Sequence, residues 1–139
     1  MQVRVLSPAP QQTGKAFFHE VSVKTIYLVE DDKTMQSLLK TLLEIEGFTV
    51  FPASQMDKNN ILNDLKVYNP DVILMDVHLR QVSGIDVLTA IKQEARLKKI
   101  KIIMSSGLDM KDTCLQNGAD AFLQKPYIPD QLMEIINAF

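Results

Sequence analysis

The sequence predicts an α/β fold built on a parallel sheet, running from Thr25 to the end of the chain. Two observations carry this reading. Short, continuously apolar runs recur along the chain, as expected of strands buried on both faces. Between them, apolar residues return at spacings of three and four, the period of a helix that packs by one face.

The strand runs are residues 26–29, 49–51, 72–75, 102–104 and 121–123. After the first, Met35, Leu38, Leu39, Leu42 and Leu43 mark a helix, with Asp32 placed to cap its start and Gly47 to end it. Ile61, Leu62, Leu65 and Tyr68 mark a second, closed at Asn69 because a residue before proline avoids the helical region. Ile85, Leu88 and Ile91 mark a third, entered through Ser83 and Gly84. A fourth, between Leu108 and Asn117, is short and stops at Gly118. The fifth begins at Pro129, since proline is tolerated in a first turn, and carries Leu132, Ile135, Ile136 and Phe139. Its pattern runs to the last residue without a stop signal, as in a chain that is cut there or that leads into a further segment.

Length and composition bound the function. At 139 residues, 46% of them apolar and 23% charged, the chain suits one folded domain. A net charge of −2 leaves no basic field for a phosphate backbone, so direct nucleic-acid binding is not expected. No apolar run approaches the roughly 18 residues that cross a bilayer, and the lone Cys114 excludes an internal disulfide. A cytoplasmic location follows as the expectation, with Cys114 read as packing in a helix. Residues 1–22, whose Ser7, Pro8, Pro10 and Gly14 break a regular pattern, read as an extension or linker before a domain at 23–139. Phe17 and Phe18 offer that extension a means of packing on the domain surface.

In an open parallel sheet, ligands bind beyond the carboxyl ends of the strands. Here those ends are polar: Glu30, Asp31 and Asp32 after the first run, Asp76 after the third, Ser105 and Ser106 after the fourth, and Lys125 with Pro126 after the fifth. A single acid after a strand is usually a helix cap. If the first and third strands are neighbours, however, Glu30, Asp31 and Asp76 meet in one cleft. Unit charges about 4 Å apart repel by about 4 kcal/mol at an effective dielectric near 20, so the cluster calls for a cation. Its donors are hard oxygens without a cysteine or histidine cluster, which points to magnesium rather than zinc. Lys125 adds a point charge suited to a carboxylate or a phosphoryl oxygen, and Ser106 adds a hydroxyl donor. Together these parts suit phosphoryl transfer to a carboxylate, with Asp76 on the central strand as nucleophile.

These residues resemble the receiver domain of two-component response regulators over about residues 24–139. The resemblance lies in Tyr-Leu-Val-Glu-Asp-Asp at 27–32, Pro-Asp-Val-Ile-Leu-Met-Asp at 70–76, Ser-Gly at 83–84, Ile-Ile-Met-Ser-Ser-Gly at 102–107 and Gly-Ala-Asp-Ala-Phe-Leu-Gln-Lys-Pro-Tyr at 118–127. It implies a doubly wound, flavodoxin-like fold with strand order 2-1-3-4-5 and five helices. It implies Asp76 as phosphoacceptor, Asp31 as a direct magnesium ligand, Glu30 as its acidic partner acting through water, and the main-chain carbonyl of His78 as a further ligand. Ser106 matches the switch hydroxyl, Lys125 the lysine of the site, and Phe122 the aromatic whose rotamer reports activation, although an aromatic in an apolar strand is equally a packing residue.

The partners implied are a histidine kinase or phosphotransfer protein as donor, and a downstream protein or an output domain elsewhere as reader; a homodimer is a further form the resemblance permits. Catalysis is confined to the domain's own phosphorylation and dephosphorylation.

Two departures stand out. After Asp76 the family pattern carries Met-Pro and then Asp-Gly, whereas this chain reads His78, Leu79, Arg80, Gln81, Val82, Ser83 and Gly84. Loss of the proline frees the loop, and Arg80 brings a charge to the cleft. The 19-residue interval from Ser106 to Lys125 is about one helical turn shorter than in the chemotaxis receiver, so the output partner is not carried over. The competing readings are a pseudo-receiver that binds protein without phosphorylation, against which the intact acidic set, Ser106 and Lys125 argue; a phosphatase using an aspartyl phosphate, which would want an acid where His78 stands; and a flavin protein, whose phosphate the acidic strand ends would repel.

Overall fold

In a computed structural model of the chain, backbone is described for residues 2–8 and 16–139 and side chains from residue 23 onward. Strands β1 (Gln2–Pro8) and β2 (Ala16–Ser22) pair antiparallel, from Gln2 opposite Ser22 to Pro8 opposite Ala16. The segment read as patternless therefore holds a paired ribbon, with Pro8 at the end of its strand, where a missing N–H is tolerated. Whether Phe17 and Phe18 pack on the domain lies outside the described side chains.

From Thr25 onward, strand and helix alternate. β3 (Thr25–Val29), α1 (Lys33–Ile45), β4 (Thr49–Pro52), α2 (Lys58–Tyr68), β5 (Val72–Asp76), α3 (Gly84–Gln93), β6 (Lys101–Ser106), α4 (Lys111–Gln116), β7 (Ala121–Gln124) and α5 (Pro129–Ala138) follow in turn. The five strands β3 to β7 form a parallel sheet in the order β4-β3-β5-β6-β7, which is the 2-1-3-4-5 order expected.

Alternation of side chains along the strands splits the core in two. Tyr27, Val29, Ile73, Met75, Ile102 and Met104 point to one face, where Ile61 and Leu65 of α2, Val87, Leu88 and Ile91 of α3, and Cys114 of α4 cover them. Ile26, Leu28, Val72, Leu74 and Ile103 point to the other, under Leu39 and Leu43 of α1 and Leu132 and Ile136 of α5. Burial on both faces is why these strands are apolar throughout rather than alternating. Cys114 is a buried packing residue, and desolvation raises its thiol above the ordinary value.

The predicted helix signals act locally. The Asp32 carboxylate accepts from the Met35 amide at 3.0 Å as expected of a cap, and Asp57, which the sequence reading did not mark, caps α2 in the same way, accepting from the Asn60 amide at 3.0 Å. Gly47 follows α1 at φ +96°, and Asn69 ends α2 at φ 46°, one residue before Pro70. The fourth helix is as short as its pattern indicated, with six residues before the turn at Gly118.

Candidate functional site

Strand register decides which polar ends meet. Val29 lies opposite Met75, so Glu30 and Asp76, each one residue further on, emerge side by side on neighbouring strands. On the other side of β5, Asp76 is in register with Ser105, and Ser106 is in register with Gln124, the residue before Lys125. The chain leaving β7 is held there by the Lys125 amide, which donates to the Ser106 carbonyl at 2.8 Å.

Lys125 spans the two acids. Its Nζ lies 3.0 Å from Glu30 Oε1 and 3.2 Å from Asp76 Oδ2. The Glu30 side chain is only 5% exposed and that of Asp76 13%, so both carboxylates rely on protein partners more than on water. Burial alone would lower the Lys125 pKa, but the hydrogen bond to Glu30 and the charges of Asp76 and Glu30 outweigh it and hold the ammonium above its ordinary value. The remaining Glu30 and Asp76 oxygens face main chain: Glu30 Oε2 accepts from the Asp32 amide at 3.3 Å, and Asp76 Oδ1 from the His78 amide at 3.3 Å.

Asp31 takes a different position. Its Oδ2 accepts from the main-chain amide of Arg80 at 2.7 Å, across the cleft in the loop that follows β5. Glu30, Asp76 and Lys125 are thus joined directly, while Asp31 is tied to the β5–α3 loop. Among the described residues, no three carboxylate, imidazole or thiol side chains form a ready-made cage for a metal. The donor set nevertheless fits magnesium, which binds through one or two carboxylates and keeps several waters. Beside the acids opens a cleft of about 490 Å³, lined among others by Glu30, Asp31, Gln36 and Arg80.

The other expected residues fall as follows. Ser106 is fully buried, and its hydroxyl accepts from the Leu108 amide at 3.0 Å, which leaves the O–H free to donate. The His78 side chain is exposed. Phe122 sits opposite Met104, partly buried against the α2–α4 side of the core, a position that suits packing as well as rotation.

Two contributors were not foreseen. Gly84 starts α3 against the Asp76 backbone, its amide donating to the Val77 carbonyl at 2.8 Å. The Ser-Gly pair marked the place without giving the reason. Arg80 was read for its charge, yet it is its main chain that touches Asp31. The loop expected to be freed by the missing proline is also tied by a bridge between His78 and Ser83, with Leu79 and Val82 packed on the core.

The sequence profile of the response regulator receiver domain matches residues 26–137. The chain belongs to that family. This receiver domain is 32% identical over 114 residues to the cell cycle transcriptional regulator CtrA of Caulobacter vibrioides, a match covering 81% of this chain and 48% of that protein. The chain thus spans about half the length of that relative. It is 28% identical over 120 residues to the polar-differentiation response regulator DivK of Brucella ovis, covering 84% of this chain and 95% of the other. The receiver domain of a sensor histidine kinase from Pseudomonas aeruginosa, solved with magnesium coordinated in its active-site cleft, superposes with a TM-score of 0.74 at 25% identity, covering 84% of this chain and 97% of that one.

The chain is therefore a receiver domain of two-component signalling, a family in which magnesium and aspartyl phosphate are general features. Receiver domains meet histidine kinases and downstream effectors. Among the described residues, no helix is long and apolar enough to cross a membrane.

Proposed function

We propose that this receiver domain takes a phosphoryl group onto Asp76 from the phosphohistidine of a histidine kinase or phosphotransfer protein, in a magnesium-dependent reaction that changes which partner the domain binds. The observation that carries the reading is Lys125, bridging Glu30 and Asp76 at 3.0 and 3.2 Å. An ammonium so placed holds the Asp76 carboxylate in position on the strand end and stands ready to pair with an incoming phosphoryl oxygen.

In the transfer, a carboxylate oxygen of Asp76 attacks phosphorus in line with the bond to the donor imidazole. That phosphorus–nitrogen bond breaks, its electron pair stays on the imidazole, and the imidazole takes a proton from solvent. Asp31, Asp76 and the His78 carbonyl would hold a magnesium ion, with Glu30 acting through water, and the bound ion would supply charge neutralisation to the phosphoryl oxygens. Lys125 pairs with one phosphoryl oxygen as the Asp76 charge moves onto the phosphoryl group. Ser106 donates its free O–H to another, and Phe122 turns inward, shifting an equilibrium between two surfaces that a partner reads. Hydrolysis of the aspartyl phosphate restores the resting state, so the domain turns over no substrate besides its own phosphoryl group.

Residues 1–22 act as an N-terminal extension to the domain at 23–139. The setting is the cytoplasm, and the reader is a downstream protein or an output domain elsewhere, with the domain itself making no nucleic-acid contact; a net charge of −2 favours that division. The test is uptake of labelled phosphate from acetyl phosphate with and without magnesium. Wild type takes up label only with magnesium, and Asp76→Asn takes up none; label in Asp76→Asn at the wild-type rate removes the assignment.

A further inference from the structure

Among the described residues, the main-chain partner of Asp31 comes from the loop in which this chain departs most from the pattern it resembles. The Arg80 amide donates to Asp31 Oδ2 at 2.7 Å, a short bond of the charge-assisted kind. The donor's position is fixed from both sides. The His78–Ser83 bridge closes the loop, the Gly84 amide donates to the Val77 carbonyl at 2.8 Å behind it, and Leu79 and Val82 anchor the loop to the core. The donor is the main-chain N–H and not the guanidinium, and Arg80 itself is exposed.

We propose that the Arg80 main-chain amide is the orienting partner of Asp31, so that the conformation of the β5–α3 loop and the binding of a divalent cation at Asp31 stabilise each other. The inference rests on Asp31 being a magnesium ligand. A carboxylate has lone pairs for both a hydrogen bond and a cation, and a carboxylate aimed by a fixed donor loses less freedom when the cation arrives. Partners of this kind are worth about 10- to 100-fold in metal affinity. Linkage makes the effect reciprocal: whatever factor the hydrogen bond adds to cation affinity, the cation adds to the closed, hydrogen-bonded loop. Cation occupancy would then be felt at the start of α3, because Gly84 packs directly behind the loop. A proline at position 80 has no N–H and cannot make this contact; the coupling is a property of a chain that carries another residue there.

The test is magnesium binding by calorimetry to the full chain and to Arg80→Pro, Arg80→Ala and Asp31→Asn. Arg80→Ala keeps the N–H and is expected within about threefold of wild type, while Arg80→Pro loses about 10-fold or more. Equal affinities for Arg80→Pro and Arg80→Ala overturn the proposal. Absence of magnesium binding to wild type, or unchanged binding to Asp31→Asn, overturns the underlying site assignment instead and the coupling with it. A second measurement needs no variant. Hydrogen exchange at the Arg80 amide of wild type slows when magnesium is added; exchange that is unchanged, or faster because the cation displaces the amide, overturns the proposal even if Arg80→Pro fails to fold.

Discussion

A Cβ placed on Gly84 would stand 2.4 Å from the main-chain oxygen of Asp76 and 2.8 Å from the Cα of Val77. Both obstacles are backbone, so no side chain can rotate away. Gly84→Ala is expected to push α3 off the end of β5 and to cost about 1–3 kcal/mol, as overpacking does. Urea denaturation measures it, and a midpoint equal to wild type would contradict the close approach. On the proposed reading, the same substitution also slows phosphoryl uptake, because the clash bears directly on the strand end that carries Asp76.

Lys125→Met removes the cation between Glu30 and Asp76 and leaves two carboxylates facing each other. A loss of about 1–3 kcal/mol is expected at neutral pH, together with strongly reduced phosphoryl uptake. The pH dependence has a definite sign. The folded Lys125 pKa is raised, so its contribution is fully present below the unfolded lysine value near about 10.4 and is lost as pH rises through the folded value. The stability gap between wild type and Lys125→Met should therefore be flat from pH 7 to about 10 and shrink above it. A gap that widens there would show that the lysine does not gain its charge stabilisation from this pair.

Asp71 and Asp120 belong to the segments that matched the family, yet they sit at the opposite end of the sheet from Asp76. Asp71 Oδ2 accepts from the Thr25 amide at 2.8 Å, and Asp120 Oδ2 from the Ile102 amide at 2.9 Å, each tying the start of one strand to its neighbour's. Asp71→Ala and Asp120→Ala are each expected to lower stability by about 1–3 kcal/mol. Phosphoryl uptake per folded molecule should stay within about twofold of wild type, since Coulomb effects at that distance are screened. Impaired uptake in fully folded Asp71→Ala would assign that end of the sheet a role in the reaction.

Tyr27 is fully buried in β3, and its hydroxyl donates to Asp64 Oδ2 at 2.6 Å. Desolvation, then the bond to Asp64 and its charge, push the phenol far above its ordinary range, so it stays a donor throughout the neutral region. Tyr27→Phe keeps the ring and deletes the donor, at an expected cost of about 1–3 kcal/mol by thermal or urea denaturation. Because a raised pKa favours folding only below the unfolded value, Tyr27 and Lys125 both make wild type lose stability above about pH 10. A wild-type midpoint that holds constant from pH 10 to 11.5 would count against both assignments.

Local chemistry made much of this legible in advance. The cap at Asp32, the helix ends at Gly47 and Asn69, and the apolar runs of the strands depend on a few neighbouring residues, and all are where the pattern placed them. The antiparallel ribbon at Gln2–Pro8 and Ala16–Ser22 was not legible, because proline and polar residues mask a pairing made between two segments. The roles of Asp71, Asp120 and Gly84 were hidden for a similar reason: each acts on a backbone atom brought near by folding, and side-chain type alone does not say which.

The sequence by itself determined the alternation of strand and helix, the polar ends of the strands, and the set of Glu30, Asp31, Asp76, Ser106 and Lys125, since hydrophobic period and residue chemistry are written residue by residue. Only the tertiary structure decided how that set divides. Parallel register brings Glu30 and Asp76 within reach of one ammonium just after β7, while Asp31 turns to a main-chain amide 49 positions away along the chain. Such distances depend on strand register and on the path of the β5–α3 loop, which are properties of the whole packed sheet.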